Sequence, residues 1–267
     1  MNINNHWIRN NLPAFSVGMS VVNALLLWHC IISLPSHEAD TRTPQADVVD
    51  DGVANTGTTC RYDSFSAIDY QGRVKWLNQY LAKHHAASFE GHSAQIEAQW
   101  TIYTRLFSRC AVHSIAEIGF NAGHSTLAML MSNPHLKIQS FDLGTINSAR
   151  PALDVLKKHF PLRDFNVVWG DSTRTVPQFA AAHAGTTFDI VIVDGGHSYE
   201  VAYADVLNMK KLSRTDTILI VDDTACEADY CVDKVLNELS KKGVIEITEQ
   251  IPFEDGRGMS LARYVWP

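Results

Sequence analysis

Acidic residues stand just after short apolar runs throughout the second half of this chain. They are Glu117, Asp142, Asp171, Asp194 and the pair Asp222 and Asp223. One Asp in such a place is ordinarily a turn former. Repeated at the ends of neighbouring parallel strands, such residues gather in one crevice, because an open α/β sheet binds its ligand outside the carboxyl ends of its strands. His197 follows Asp194 by three residues. An imidazole with a pKa of about 6.5 is suited to proton transfer near neutrality; a structural histidine is the alternative.

The first run leads into Ala116-Glu117-Ile118-Gly119-Phe120-Asn121-Ala122-Gly123-His124-Ser125. A dinucleotide loop requires G-x-G-x-x-G, so that a pyrophosphate can rest on a helix N-terminus. Here Asn121 takes the place of the second Gly and His124 that of the third. The spacing is instead E-x-G-x-x-x-G, and no Walker lysine follows, which excludes a P-loop.

The elements that position these residues follow from periodicity. Residues 73–84 put Val74, Leu77 and Leu81 on one helical face. Residues 93–107 do the same with Ile96, Trp100, Tyr103 and Phe107, with Ser93 as the expected N-cap. A regular alternation begins at residue 114. Strands are expected at 114–118, 137–141, 166–169, 188–193, 217–221, 244–249 and 261–266. Helices are expected at 123–131, 149–159, 175–183, 199–211 and 229–242. Short apolar runs separated by helices predict a doubly wound α/β fold, a mainly parallel sheet with helices on both faces.

Taken in order, E-I-G-F-N-A-G-H-S, S-F-D-L, G-D-S, F-D-I-V-I-V-D-G-G-H-S-Y and I-V-D-D resemble the class I S-adenosylmethionine-dependent methyltransferases. The branch they resemble includes the macrocin-type and catechol-type O-methyltransferases. The resemblance covers roughly residues 114–266. It implies a Rossmann-like seven-stranded sheet whose last strand is antiparallel, and the turn before residue 261 suits that return. It also implies that Glu117, Gly119, Asn121 and Gly123 belong to the loop under the methionine part of the donor. Asp142 would then hold the ribose hydroxyls, with Asp171 and Ser172 beside the adenine. S-adenosylmethionine carries no phosphate, so its loop need not be an anion nest, and nearby carboxylates suit its sulfonium and ammonium. In these types a divalent ion binds the acceptor hydroxyls, and the matching positions are Asp194, Asp222 and Asp223. Three carboxylates are hard ligands suited to Mg²⁺ or a similar ion. His197 stands where the macrocin type places its general base. The alternatives are a catalytically silent tethered binding domain and an NAD-dependent oxidoreductase, the latter opposed by the missing glycine pattern.

Composition sets the outer limits. Basic residues number 22 and acidic ones 29, a formal charge of −7, which speaks against a nucleic-acid partner. The acceptor is expected to be a small molecule or a glycan. Residues 10–37 carry no Asp, Glu, Lys or Arg. Within them, residues 14–34 would span roughly 30 Å as a helix, the thickness of a bilayer core. A signal anchor is expected, with a cleaved signal peptide and a buried helix as alternatives. Arg9 precedes the segment, while Glu38, Asp40, Asp47, Asp50 and Asp51 follow it against Arg42. Positive-inside bias then puts the N-terminus in the cytosol and the body in a luminal or extracytoplasmic space. The expected organisation is a tail at 1–13, a membrane-anchor helix at 14–34, a flexible stem at 35–59, a helical cap at 60–113 and the methyltransferase body at 114–267. Beyond Cys30, the cysteines are Cys60, Cys110, Cys226 and Cys231. They are compatible with two disulfides or with four reduced thiols.

Overall fold

The central strands are apolar on both sides, so the sheet they form must be covered on both faces. The computed structural model describes residues 46–49, 59–62, 66–84, 92–225 and 231–267. Its strands are β1 (Ala46–Val49), β2 (Thr59–Tyr62), β3 (Ser114–Ile118), β4 (Lys137–Asp142), β5 (Asp164–Trp169), β6 (Ile190–Val193), β7 (Ile218–Val221), β8 (Ile245–Pro252) and β9 (Gly258–Tyr264). Strands β3 to β9 form one seven-stranded sheet in the order β5-β4-β3-β6-β7-β9-β8. Pairing among β3 to β7 is parallel, and β9 runs antiparallel to both β7 and β8. The expected antiparallel last strand is therefore present, inserted between β7 and β8.

The helices are α1 (Ala67–Lys83), α2 (Glu97–Phe107), α3 (His124–Ser132), α4 (Ala149–His159), α5 (Ser172–Ala182), α6 (Tyr199–Met209) and α7 (Asp233–Lys241). Strand alternation divides them. Ile115, Ile190, Ile192 and Ile220 enter a core with Leu77 of α1, Tyr103 of α2, Leu127 of α3 and Leu156 of α4. Ala116, Val191, Val193 and Leu219 face the other way, onto Val176 of α5, Val206 of α6 and Leu236 of α7. The order reverses at β3, which has β4 on one side and β6 on the other. This is the switch point at which such sheets open a crevice.

Several boundaries differ from the sequence reading, among them the start of α1 at Ala67 rather than residue 73, and three differences have a physical reason or bear on the organisation. Ser93 does not cap α2: it starts a short 3-10 turn, and α2 begins after Ile96, whose φ of −112° and ψ of 114° are extended. The β-branched Ile96 separates the two helical pieces. Helix α5 starts earlier than the apolar pattern, because Asp171 caps it by accepting from the Thr173 N–H. β1, in the expected stem, pairs antiparallel with β2, which begins where the expected stem meets the cap. A disulfide joins Cys60 to Cys110 beyond α2, and the Cys110 N–H donates to the Cys60 carbonyl at 3.0 Å. Cys231 is also disulfide-bonded, while Cys30 and Cys226 lie outside the described residues. The apolar segment 14–34 lies outside them too; among the described residues, no helix is long and apolar enough to cross a membrane.

Candidate functional site

The crevice at the switch point is a cavity of about 590 Å³. Its walls include Gly119 and Asn121 from the loop after β3, Asp142 from the end of β4 and Ser172 from α5. Asp171, Asp194 and His197 line it as well. Three of the six acidic positions singled out by type and spacing, Asp142, Asp171 and Asp194, therefore meet in one place. Glu117, Gly123, Asp222 and Asp223 are not among the lining residues.

Close packing fixes the first loop. Gly119 has φ 102°, and a Cβ there would lie 1.8 Å from the Asp194 carbonyl oxygen. Only glycine lets β3 and β6 end this close together. Asn121 also takes a left-handed conformation, φ 49°, which Asn tolerates better than most residues. Its N–H donates to Asp142 Oδ2 at 2.9 Å, and the Gly144 N–H donates to Oδ1 at 2.7 Å. Asp142 thus ties the loop after β3 to its own loop. Gly123, also at positive φ, precedes α3.

Glu117 lies beneath the loop. It is buried, and its oxygens accept from the hydroxyls of Ser125, Thr126 and Ser140, each at 2.6 Å. Burial pushes its pKa up, and these hydroxyl bonds oppose the shift. Its carboxylate braces β3, α3 and β4. Asp171 accepts from the Thr173 N–H at 2.9 Å and from the Thr173 hydroxyl at 2.7 Å, while still lining the cavity.

The far side of the crevice is crowded with negative charge. Burial, then Asp222 and Asp223, push Asp194 well above the usual carboxylate range. Burial, then Asp223, raise Asp222 to about 7. Asp223 has φ 52°, and its Oδ2 lies 2.8 Å from His197 Nε2. That hydrogen bond is the largest influence on His197 and raises its pKa. One donor atom each from Asp194, His197 and Asp223 lie within 4.8 Å of one another. This convergent set differs from the expected Asp194, Asp222 and Asp223 by containing His197 and lacking Asp222. Asp222 Oδ2 instead accepts from the amide Nε2 of Gln99 on α2.

Sequence reasoning missed two contributions from the cap. One is Gln99. The other is a stack of His92 on His124, with ring centroids 3.6 Å apart and planes 8° apart, at the cavity wall. Burial lowers these histidines to about 4 and about 3, respectively. A polar residue beside Trp100 and Tyr103 on a helix was the available signal for Gln99; no local pattern pairs His92 with His124.

Residues 116–224 match the family described as a methyltransferase domain. A search of curated protein sequences finds no match. Among solved structures, the chain is similar to the O-methyltransferase from Bacillus cereus in complex with S-adenosylhomocysteine. The TM-score is 0.55 at 16% identity, over 72% of this chain and 90% of that one. It is also similar to the O-methyltransferase TomG from Streptomyces achromogenes in complex with S-adenosylmethionine, with TM-score 0.53 and 18% identity, over 72% and 89% of the two chains. The S-adenosylhomocysteine-bound methyltransferase PaMTH1 of Podospora anserina gives TM-score 0.53 and 16% identity, over 76% and 90%. At these identities the structural likeness establishes the fold.

Proposed function

We propose that this chain, which carries a class I S-adenosylmethionine-dependent methyltransferase domain, methylates a hydroxyl held beside Asp194 and His197. The observation that carries the reading is the single cavity that joins Gly119, Asn121 and Asp142 at one side to Asp194 and His197 at the other. Donor and acceptor can therefore meet inside it.

The donor supplies a methyl group on a sulfonium, an activated carbon that needs only a nucleophile in line. Asp142 holds the ribose hydroxyls, and its bonds to the Asn121 and Gly144 amides keep it aimed. The loop of Gly119, Asn121 and Gly123, braced by Glu117, receives the methionine part. Asp171 and Ser172 flank the adenine. His197 takes the acceptor's proton. With Nε2–H donated to Asp223, the remaining lone pair is on Nδ1, and that atom receives it. Asp223 sets the tautomer and supports the imidazolium that forms.

Asp194, Asp222 and Asp223 would hold a divalent cation such as Mg²⁺. The donor set suits it, because crowded carboxylates driven above their ordinary range are relieved by a cation. A bound ion there supplies a Lewis acid that acidifies and orients the acceptor hydroxyl.

The test is formation of S-adenosylhomocysteine across a panel of catechols, sugars and glycans, with and without Mg²⁺, beside calorimetry with S-adenosylhomocysteine and NAD. A folded protein that binds neither S-adenosyl compound would sink the reading. Binding without turnover of any acceptor would favour a silent binding domain.

The reading includes a tether. Residues 14–34 anchor the chain in a membrane with its body on the non-cytosolic side. The Cys60–Cys110 disulfide supports that side, since disulfides persist in oxidising compartments. Digestion of the body by protease added to the cytosolic face of sealed vesicles would refute the orientation.

A further inference from the structure

His92, Ser93 and His124 all line the crevice, although they are only 8%, 4% and 2% exposed. His92 and Ser93 stand at the 3-10 turn ahead of α2, and His124 opens α3. The stacked rings of the two histidines join the cap to the body here. His92 Nδ1, Ser93 Oγ and His124 Nδ1 are closed to water, and each lacks a hydrogen-bond partner among the described residues. Buried polar atoms are nearly always paired, so three orphans at one wall call for a partner that comes from the cavity. Being closed to water, these atoms are met only when the wall gives slightly. A short 3-10 turn with a rotatable Ser93 hydroxyl is the element that can give.

The unpartnered atoms define the group that fits them. His124 Nε2 lies 2.7 Å from Asn78 Oδ1, which accepts, so Nε2 carries the proton and Nδ1 a lone pair. The Ser93 hydroxyl both donates and accepts, and His92 Nδ1 does one or the other. Burial keeps both imidazoles neutral near pH 7. A carboxylate has no proton for the lone pair of His124 and would meet no charge at this wall. An ammonium is disfavoured, because the positive charge of Arg257 reaches His92. A hydroxyl donates, accepts and brings no charge. We infer that His92, Ser93 and His124 form a specificity subsite for a second, unreacting hydroxyl of the acceptor, and that the acceptor is an uncharged polyhydroxy molecule. The inference rests on the hydroxyl-methylation reading above. The charge of Arg257 also acts on Asp194, Asp222 and His197, which sets His92 toward the acceptor end of the crevice. The ribose hydroxyls of the donor are the business of Asp142 instead.

The test compares acceptors that differ by one group. S-adenosylhomocysteine formation by the full chain is measured with methyl glucoside and methyl galactoside, their monodeoxy analogues and the matching uronides. Pyrogallol beside catechol separates a phenolic source of the hydroxyl from a sugar. His92→Phe keeps the ring stack and loses Nδ1. Ser93→Ala removes one oxygen atom and carries the test should the ring change unsettle the cap. Ser93→Thr keeps the hydroxyl. In one of the two series, wild type should favour the acceptor with the additional hydroxyl by about tenfold or more in kcat/KM, because a site built to bond a hydroxyl rejects the analogue that lacks it. His92→Phe and Ser93→Ala should erase that preference, Ser93→Thr should retain it, and the affinity for S-adenosylhomocysteine by calorimetry should stay nearly constant throughout. A preference absent from wild type, or one that survives in both variants, would show that the orphaned atoms hold only a water, and the inference falls. Variants that lose S-adenosylhomocysteine affinity and keep the preference would assign the atoms to the donor, and it falls again. Uronides turned over as fast as the neutral glycosides would remove the uncharged acceptor. If wild type binds S-adenosylhomocysteine but methylates none of these hydroxyls, the hydroxyl-methylation reading itself fails and takes this inference with it.

Discussion

Asp223 Oδ2 lies 2.8 Å from Nε2 of His197, and the carboxylate is much the more buried partner. The two residues come from different loops, after β7 and after β6. The Asp223 loop is pinned from the far side, because the Thr224 N–H donates to the Gly258 carbonyl at 2.7 Å. A left-handed φ at a non-glycine residue such as Asp223 costs of order 1–3 kcal/mol and persists only where its surroundings enforce it. The local strain buys a fixed orientation for the imidazole.

That orientation makes the role of His197 testable. His197→Ala should lower turnover by about 10²–10⁴-fold, the usual contribution of positioned proton transfer, with donor affinity nearly unchanged. Only neutral imidazole accepts a proton. Asp223 raises the pKa of His197 and a cation on the neighbouring carboxylates would lower it, so the rate should climb with pH through an apparent pKa that the variant lacks. The pH–rate profiles of wild type and variant decide the point. Profiles of the same shape, differing less than tenfold in rate, would remove His197 as the base.

Asp142→Ala should weaken S-adenosylhomocysteine binding by roughly 1–3 kcal/mol, the cost of leaving hydrogen-bonding groups unpaired. Part of that loss would come from the Asn121 and Gly144 amides that the carboxylate now holds. Asp142→Asn keeps the shape and one acceptor oxygen, so it should lose less. Calorimetry on the three proteins orders them, and equal affinities would remove Asp142 from the donor site.

Much of this arrangement was legible in the sequence. The alternation of apolar runs and helices predicts the parallel sheet, and the positions of Asp142, Asp171 and Asp194 at the ends of their runs place them at the strand mouths, whereas Glu117 lies within its strand and is buried beneath the loop. Asp142, Asp171, Asp194 and His197 needed no more than that to be gathered. What stayed hidden depends on contacts with no local signature. Gln99 meets Asp222 only because α2 docks beside α3. The His92–His124 stack joins a residue before the cap helix to the first residue of α3. The early start of α5 has no apolar signature, because the Asp171 capping hydrogen bond sets it ahead of the first buried residue, Val176.

Chelation should abolish turnover while leaving S-adenosylhomocysteine affinity largely intact, because the proposed ion would serve the acceptor while Asp142 and the loop after β3 are held by protein hydrogen bonds. Activity that survives in a metal-free preparation, checked by elemental analysis, would remove the ion from the mechanism.

Gly119→Ala should damage fold and site together. The added methyl would fall 1.8 Å from the Asp194 carbonyl oxygen, and φ 102° is unfavourable for any side chain. Forced separation of β3 from β6 should cost about 2–4 kcal/mol. Chemical denaturation measures the stability loss, and calorimetry should show weakened donor binding. A variant as stable as wild type would mean that the two strand ends are less tightly joined than their geometry implies.

The stacked histidines predict a specific response to acid. His92 and His124 are both buried, and burial is the largest cause of their lowered pKa values of about 4 and about 3. Arg257 adds to the shift of His92, and His92 to that of His124. A histidine in the unfolded chain titrates near 6.5. Between those values the unfolded state binds more protons than the folded one, so stability falls as pH falls. The contribution is complete above the unfolded pKa and is lost progressively toward pH 4. From pH 7 to pH 5 the loss should be about 2 kcal/mol per histidine, by the linkage relation. Glu117, Asp194 and Asp222, whose values are raised, work in the opposite direction. The wild-type curve is therefore composite, and the difference from a variant isolates the histidines. The double variant His92→Phe, His124→Phe keeps two stacked aromatic rings and removes both titrating groups. Denaturation of wild type and double variant at pH 7 and pH 5 should show the wild type losing more stability, by several kcal/mol. Parallel losses in the two proteins would show that the stacked pair does not titrate on unfolding as its burial requires.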